Sequence, residues 1–223
     1  MSALKGIRVF ITGMGIVSPL GSNVRENFDS LKNNRSGIKP LGLFPLSEGN
    51  RHPAAEATGF QGDPDLPRTH GLALAAAREA LAGKDIIPDA LIMGTTTGGM
   101  ALTEELLKKG EKKPDAYRYH STSSVAEYCA AALGCSGLII TVANACSSGT
   151  AAIKLALELL RTGQARRVLA GGADSLCRLT YYGFNSLQLL DPEGARPLDR
   201  SRLGMTVAEG SAMILLEASE AVP

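Results

Sequence analysis

The sequence predicts an α/β domain built on a mixed, mostly parallel five-stranded sheet with helices on both faces. Short apolar runs alternate along the chain with longer helix-like segments, which is typical of strands joined by crossover helices. Several of these runs are apolar at almost every position, as expected for strands covered on both faces. The five predicted strands are Ile7–Val17, Ala90–Gly94, Leu138–Ala143, Arg166–Gly172 and Ala212–Glu217.

Turn and helix-capping residues mark the ends of the first predicted elements. The run Ile7–Val17 is rich in β-branched residues and glycine and ends at a turn. Asn23 and Glu26 have the spacing of a capping box, which predicts a helix from there to about Asn33. The segment Ser36–Thr69 contains five prolines and no sustained period. It predicts a long excursion without regular secondary structure. In a compact domain such a segment packs against other parts of the protein or serves a function.

Helix and strand signals then alternate through the middle of the chain. His70–Ala82 is rich in Ala and Leu and ends at Gly83, which predicts a helix. The strand Ala90–Gly94 leads into the turn sequence GTTTGG, and a helix is predicted from about Ala101 to Lys109. A further capping-box pattern, Ser124 to Glu127, predicts a helix that ends at Gly134.

One helix stands out by its apolar character. The segment Ser148–Arg161 lies between two apolar strands and carries polar residues only at Lys154, Glu158 and Arg161 beyond its first turn. These three positions form a single narrow stripe on a helix. We therefore expect this helix to be mostly buried.

Composition and charge exclude several classes of protein. Of the 223 residues 44% are hydrophobic and 20% are charged, with no Trp, which indicates an aliphatic core and excludes disorder. The net charge of +1 provides no electrostatic signature for nucleic acid or a membrane surface, so neither partner is expected.

The cellular location and the metal content of the protein are predicted from motifs that the sequence lacks. No apolar run approaches the roughly 20 residues of a membrane span, and the N-terminus lacks a signal-like segment, so we expect a cytoplasmic protein. The four Cys and three His show no zinc-ligand spacing, so no metal site is expected. Nucleotide binding is disfavoured too, because Gly13-Met-Gly15 lacks a third glycine and GTTTGG lacks the lysine of a phosphate loop.

The most informative stretch is Ile140–Gly149, which places Cys146 between a buried strand and the first turn of a helix. Free N–H groups at a helix start carry partial positive charge and favour a thiolate, which is a ready nucleophile. Neighbouring backbone N–H groups are candidates to hold the oxyanion formed when a thioester is attacked. From local sequence alone, Cys146 is equally well explained as a small buried hydrophobe.

Four segments, in order and spacing, carry a family resemblance over essentially all 223 residues. The segments are VFITGMGIVSPLG, IMGTTTGG, VANACSSGTAAIKLALELLRTGQARRVLAGGADS and ARPLDRSRLGMTVAEGSAMILLE. With them the chain resembles the N-terminal half of a β-ketoacyl-acyl-carrier-protein synthase, a condensing enzyme of the thiolase-like fold in which two similar α/β halves stack in layers.

The resemblance implies that residues 1–223 form the N-terminal domain, with the C-terminal half absent. It implies that Cys146 takes an acyl group from a carrier-protein or coenzyme A thioester. The acyl group then passes to a carbanion made by decarboxylating a malonyl thioester, in fatty acid or polyketide synthesis. No cofactor is expected to be bound, because the substrates are carried on phosphopantetheine. The two histidines and the lysine of the family's decarboxylation chemistry belong to the second half, so this chain alone is expected not to condense.

The resemblance also implies roles for other residues. Phe184 resembles the family phenylalanine beside the acyl pocket, with a core or exposed aromatic as the alternative. Thr97 stands where many relatives carry an apolar residue near the far end of the pocket, with a plain turn residue as the alternative. Asp174 and Glu209 are expected to be structural, as buried carboxylates that accept hydrogen bonds from turn N–H groups. The histidines are expected to be surface or helix-end residues without a catalytic role; they are His52, His70 and His120.

Three hypotheses remain open for the whole protein. The first is the cysteine-bearing half of a condensing enzyme whose second half was removed or truncated. The second is one chain of a naturally split enzyme, and the third is a non-catalytic scaffold or interaction subunit with the same fold. Under all three we expect at least a homodimer, because Leu138–Ala143 matches the strand that such enzymes pair across a two-fold axis. Acyl carrier protein is the other expected partner.

Overall fold

The computed structural model describes residues 7–47 and 51–222. A mixed five-stranded sheet in the order β1-β7-β6-β4-β5 forms the centre, and β2 and β3 pair in a separate two-stranded ribbon. The strands are β1 Val9–Val17, β2 Ile38–Lys39, β3 Ala54–Ala55, β4 Ala90–Gly94, β5 Leu138–Val142, β6 Arg167–Asp174 and β7 Gly210–Ala218. The helices are α1 Val24–Lys32, α2 Arg68–Ala80, α3 Met100–Lys108, α4 Ser123–Leu133, α5 Ser148–Arg161 and α6 Arg178–Ser186.

The predicted fold class is confirmed, including the mixed character of the sheet. Strand β4 pairs in parallel with both β5 and β6, whereas β7 pairs antiparallel with both β6 and β1. Four strands therefore run in one direction and β7 runs in the other. The carboxyl ends of β1, β4, β5 and β6 meet at the same edge of the sheet, which is where open α/β sheets bind ligands.

Successive residues of the strands pack on opposite faces of the sheet, as the period of two requires. Leu91 and Met93 of β4 lie in a core cluster with α2 and α4. Ile92, between them, lies in a second cluster with α5. Both faces of the central strands are therefore covered, which explains why their sequences are apolar throughout.

Helix α5 is less buried than predicted. One side of it packs on the sheet, but Ile153 on the other side is 36% exposed. Ile11 and Met14 of β1 are 58% and 55% exposed. They lie on the same face of the sheet as α5, because their cross-strand partners Leu216 and Ile214 belong to the α5 cluster. Among the described residues α5 is the one helix packed on this face, so its outer side and the neighbouring strand remain open.

The two predicted capping boxes have different outcomes. At α1 the Asn23 side chain accepts a hydrogen bond from the Glu26 N–H at 2.9 Å, which confirms the cap of the first. The Glu26 carboxylate accepts in return from the Ser22 N–H at 2.8 Å, one residue before the cap. The second is wrong, because α4 begins at Ser123 without a side-chain cap. Ser124 lies inside the helix, and its hydroxyl donates to the Ser121 carbonyl at 2.6 Å instead.

Helix α6, Arg178–Ser186, was not predicted. Its sequence is rich in aromatic residues and has Gly183 in the middle, which are weak helix formers. Tertiary packing overrides that preference, because the fully buried Tyr181 lies in a cluster with Phe44 and Leu190. In the long excursion predicted from Ser36 to Thr69, the described residues up to Pro67 are mostly irregular, as predicted, apart from the short ribbon; α2 begins at Arg68.

The histidines do not all match the expectation. His120 is exposed and His52 is half-buried. His70 lies in the first turn of α2, which fits a helix end, but it is fully buried, so the expected exposure is wrong for it. Its Nε2 lies 2.9 Å from the Ser124 hydroxyl oxygen, and the Tyr119 ring packs edge-on against it. The contact with Ser124 shows that His70 lies on the side of α2 that packs on α4.

We expect His70 to make the protein less stable in mild acid. Burial lowers the pKa of His70 from 6.5 to about 4. Between pH 6.5 and pH 4 the His70 side chain is protonated in the unfolded chain and neutral in the folded chain. The free energy of unfolding therefore falls as pH falls, by up to about 3 kcal/mol. Urea unfolding from pH 7 to pH 4 of the wild type and of His70→Gln measures this. The variant should lose less stability than the wild type over that range; equal losses would contradict the assignment.

In the described part of the chain, no helix combines the length and the apolar character that a membrane crossing requires.

Candidate active site

A cavity of about 560 Å³ opens at the carboxyl edge of the sheet. Its wall is built from the segments that follow β1, β4, β5 and β6 and from the start of β7. Cys146, Thr97 and Phe184, which the sequence singled out separately, all line this one cavity.

Cys146 is the exposed thiol of the chain. It lies in a 3₁₀ turn, Ala145–Ser147, that joins β5 to the N-terminus of α5. The chain has four cysteines, and the other three, Cys129, Cys135 and Cys177, are buried. Burial raises the pKa of Cys129 to about 12, and it raises the pKa of Cys177 too. Of the four thiols, Cys146 is therefore the one that a substrate in the cavity can reach.

The turn that carries Cys146 is held by a set of local hydrogen bonds. Ala145 adopts a left-handed conformation with φ of 47°, which is uncommon for a residue with a side chain. The Ser148 hydroxyl donates to the Ala145 carbonyl at 2.7 Å and accepts from the Asn144 N–H at 2.8 Å. The Thr96 hydroxyl, from the turn after β4, donates to the same Ala145 carbonyl at 3.2 Å.

Glycine allows α5 to approach the sheet at this point. A side chain on Gly94, the last residue of β4, would overlap the backbone of Ser148 and Gly149 at the start of α5. A side chain on Gly172 in β6 would be less crowded, with its Cβ 3.2 Å from the Gly149 Cα. These small residues let the N-terminus of α5 lie directly against the ends of β4 and β6. Cys146 is therefore positioned by the sheet and by the helix together.

Asp174 has the structural role that was predicted for it. Its Oδ1 accepts hydrogen bonds from the Thr97 N–H at 2.7 Å and from the Thr97 hydroxyl at 2.8 Å. It also accepts from the Thr96 N–H at 2.9 Å and from the Thr95 hydroxyl at 3.0 Å. Asp174 is half-buried rather than buried. It ties the GTTTGG turn to the end of β6 on the cavity wall.

Glu209 is the second predicted structural carboxylate, and it is buried. Its two oxygens accept from the Arg68 guanidinium, with the Nη2 to Oε1 distance at 2.6 Å. The N–H groups of Ala57 and Leu176 donate to it at 2.9 and 3.3 Å. This carboxylate therefore joins the irregular excursion, the start of α2 and the segment after β6, next to the cavity residue Ala208.

The two remaining candidate residues, Phe184 and Thr97, both line the cavity wall. Phe184 of α6 is half-buried and also packs against the cluster around Tyr181. Thr97 is half-buried, with its hydroxyl occupied by Asp174. Sequence reasoning missed Thr96 and Ser148 as contacts of the Cys146 turn. The sequence GTTTGG has three consecutive threonines, and it does not indicate which of the three hydroxyls contacts the Cys146 turn.

Neither the histidines nor a metal cluster contributes to this cavity. None of the cavity-lining residues is a histidine. Within residues 7–47 and 51–222, no three His, Cys, Asp or Glu side chains lie together as a possible metal site. The polar groups that line the cavity are therefore the Cys146 thiol, the Asp174 carboxylate, hydroxyls and backbone N–H groups.

Known proteins resemble this chain in sequence and in structure. Residues 7–221 match the family model for the N-terminal domain of β-ketoacyl synthases. The chain is 27% identical to 3-oxoacyl-[acyl-carrier-protein] synthase 2 of Synechocystis sp., over 99% of this chain and 60% of that protein. It is 30% identical to the putative polyketide β-ketoacyl synthase 1 of Streptomyces cyaneus, over 96% of this chain and 58% of that protein.

A solved structure supports the same relation. The ishigamide ketosynthase/chain length factor structure superimposes with a TM-score of 0.88 and 29% sequence identity, over 97% of this chain and 59% of that one. The chain therefore spans about three fifths of the length of the relatives it matches.

Proposed function

We propose, from the premise that this chain belongs to the β-ketoacyl synthase family, that it is the acyl-accepting domain of a condensing enzyme. Residues 1–223 would form the N-terminal domain, with Cys146 as the nucleophile that receives the acyl group. Condensation with a malonyl thioester would follow in the complete enzyme, in fatty acid or polyketide synthesis. The single observation that carries this proposal is the exposed Cys146 in a cavity at the N-terminus of α5.

The loading step needs only groups that this cavity holds. The Cys146 thiolate attacks the carbonyl carbon of an acyl thioester, and the carbonyl electron pair moves to oxygen. Collapse of this oxyanion forms the new thioester on Cys146 and expels the donor thiolate, which takes up a proton. The partial positive charge at the start of α5 favours the oxyanion. Backbone N–H groups of the turn are the proposed oxyanion donors.

The cavity wall suits an acyl chain. Phe184 is proposed to pack beside the bound chain, and Thr97 to line the cavity further along. Val17, Leu176 and Val207 add apolar surface to the same wall. A mainly apolar cavity with a few placed polar groups is the usual form of a site for such substrates.

A second α/β half is the proposed cover for the open face beside α5. The relatives are longer than this chain by about two fifths of their own length. Ile11, Met14 and Ile153 leave exposed apolar surface on that face, which is costly in water unless it is covered. We propose that the second half supplies the histidines and the lysine for decarboxylation, and that these 223 residues alone load but do not condense.

Two further partners belong to the proposal. Acyl carrier protein is the proposed acyl donor, since the Synechocystis relative is named for it. A homodimer is proposed through β5, which is the outer strand of the sheet and exposes Leu138 and Ile139 at 49% and 39%. The cytoplasmic location expected from the sequence stays a prediction.

The test is acyl transfer followed by mass spectrometry. The chain is incubated with hexanoyl-coenzyme A and, separately, with a hexanoyl-acyl carrier protein, and then digested under conditions that preserve thioesters. We expect a hexanoyl adduct on the peptide that contains Cys146. We expect a β-ketoacyl product from malonyl thioester only after a second half from a relative is added. A chain that takes no acyl group from either donor would favour the scaffold hypothesis instead.

A further inference from the structure

The Thr96 hydroxyl makes a hydrogen bond that the proposed function leaves unexplained. Thr96 lies in the turn after β4, is exposed and lines the cavity. Its Oγ1 donates to the carbonyl oxygen of Ala145 at 3.2 Å. This bond crosses from one strand end to the next and reaches the residue immediately before Cys146.

Thr96 is itself held in place. The Asp174 carboxylate accepts from the Thr96 N–H at 2.9 Å and from the neighbouring Thr97 N–H at 2.7 Å. Asp174 is the last residue of β6, beside β4 in the sheet. The hydroxyl is therefore presented to Ala145 from a turn tied to the sheet.

The carbonyl that Thr96 contacts belongs to an unfavourable conformation. Ala145 has φ of 47°, which costs a residue with a side chain about 1 to 2 kcal/mol. Three donors hold its carbonyl, namely the Thr96 hydroxyl, the Ser148 hydroxyl and the Ser148 backbone N–H. A trans peptide group is planar, and its C=O and N–H point in opposite directions. Holding the Ala145 carbonyl therefore also fixes the direction of the Cys146 N–H.

We propose that Thr96 is a positioning residue that orients the Cys146 N–H toward the oxyanion formed when Cys146 is acylated. This inference rests on the proposed function and deepens it. Without the Thr96 hydroxyl, the peptide between Ala145 and Cys146 keeps the two donors on Ser148 but loses the one from the neighbouring strand end, so it turns more freely. The oxyanion then loses a well-aligned donor, whereas Sγ stays as exposed as before. Removal of one such donor in an enzyme costs about 10²- to 10³-fold, so a misaligned donor is expected to cost about ten-fold.

The test compares two reactions of the same thiol. Acylation by p-nitrophenyl acetate passes through an oxyanion and releases p-nitrophenolate, which is followed by absorbance. Alkylation by iodoacetamide displaces iodide at a saturated carbon and forms no oxyanion. Thr96→Val keeps the shape of the side chain and removes the hydroxyl, and Thr96→Ser is the matched control that keeps it. Thermal unfolding of each variant confirms an intact fold, which the exposure of Thr96 favours.

We expect Thr96→Val to acylate about ten-fold more slowly than the wild type, with its alkylation rate changed less than about two-fold, and Thr96→Ser to match the wild type in both. Equal slowing of both reactions, or of neither, would overturn the positioning role. Acylation from hexanoyl-coenzyme A separates the two proposals. A wild type that reacts with p-nitrophenyl acetate and shows the Thr96→Val effect, but takes no acyl group from thioesters, supports the positioning role and refutes the proposed function.

Discussion

Replacement of Cys146 by alanine is expected to abolish acyl loading of the chain. The variant should carry less than about one thousandth of the hexanoyl adduct that the wild type forms in the same time, because removal of a nucleophile removes the whole covalent step. The reason is structural as well as chemical. The other three thiols are buried, so none of them can replace Cys146 in the cavity. Intact mass after incubation with hexanoyl-coenzyme A measures the effect.

Cys135→Ala is the matched control for this prediction. Cys135 is 4% exposed and its Sγ donates to the Pro88 carbonyl at 3.3 Å, away from the cavity lining. This variant should load like the wild type. Loading that survives in Cys146→Ala would show that the acyl group sits on another residue and would remove the basis of the proposed function.

The rate of alkylation separates an activated thiol from an inert one. As the proposed nucleophile, Cys146 should react with iodoacetamide at pH 6 faster than free cysteine does. Peptide mapping should find the modification at Cys146. A rate no faster than that of free cysteine would favour a scaffold subunit in which Cys146 has no catalytic role.

Replacement of Glu209 by alanine is expected to cause a large loss of stability. The side chain of Glu209 is fully buried and that of Arg68 is 22% exposed, so the substitution leaves a mostly buried guanidinium without its partner. It also leaves the Ala57 and Leu176 N–H groups without an acceptor. Breaking a buried pair by removing one partner costs about 3 to 5 kcal/mol. Urea unfolding at pH 7 measures the change in the free energy of unfolding.

Two variants make this result interpretable. Glu158→Ala removes a carboxylate of the same type from an exposed pair with Lys154 on α5, at 3.6 Å. It should change the free energy of unfolding by less than about 0.5 kcal/mol. Glu209→Gln keeps the shape and an acceptor oxygen, so its loss should be smaller than that of Glu209→Ala and measurable even if the alanine variant does not fold. A loss in Glu209→Ala no larger than in Glu158→Ala would contradict the role of Glu209.

Much of the architecture could be predicted from the sequence. The bounds of β4 and α5 match the prediction, because apolar runs ended by glycine and helical spacing are local signals. Helix α6 could not be predicted this way, since its weak helix formers are stabilised by packing around Tyr181. The burial of His70 was missed for a similar reason. A lone histidine on a helix carries no local sign of the helix that will pack on it.

By itself, the sequence determined that Cys146 follows an apolar strand and precedes a helix, and that the chain resembles one half of a condensing enzyme. Only the tertiary structure decided which groups surround that cysteine. Thr96, Cys146 and Asp174 are far apart in the chain, yet they meet because parallel strands bring their carboxyl ends to one edge of the sheet. The strand signals are local and can be read in order, whereas the contacts across that edge depend on strand order and on the direction of each side chain.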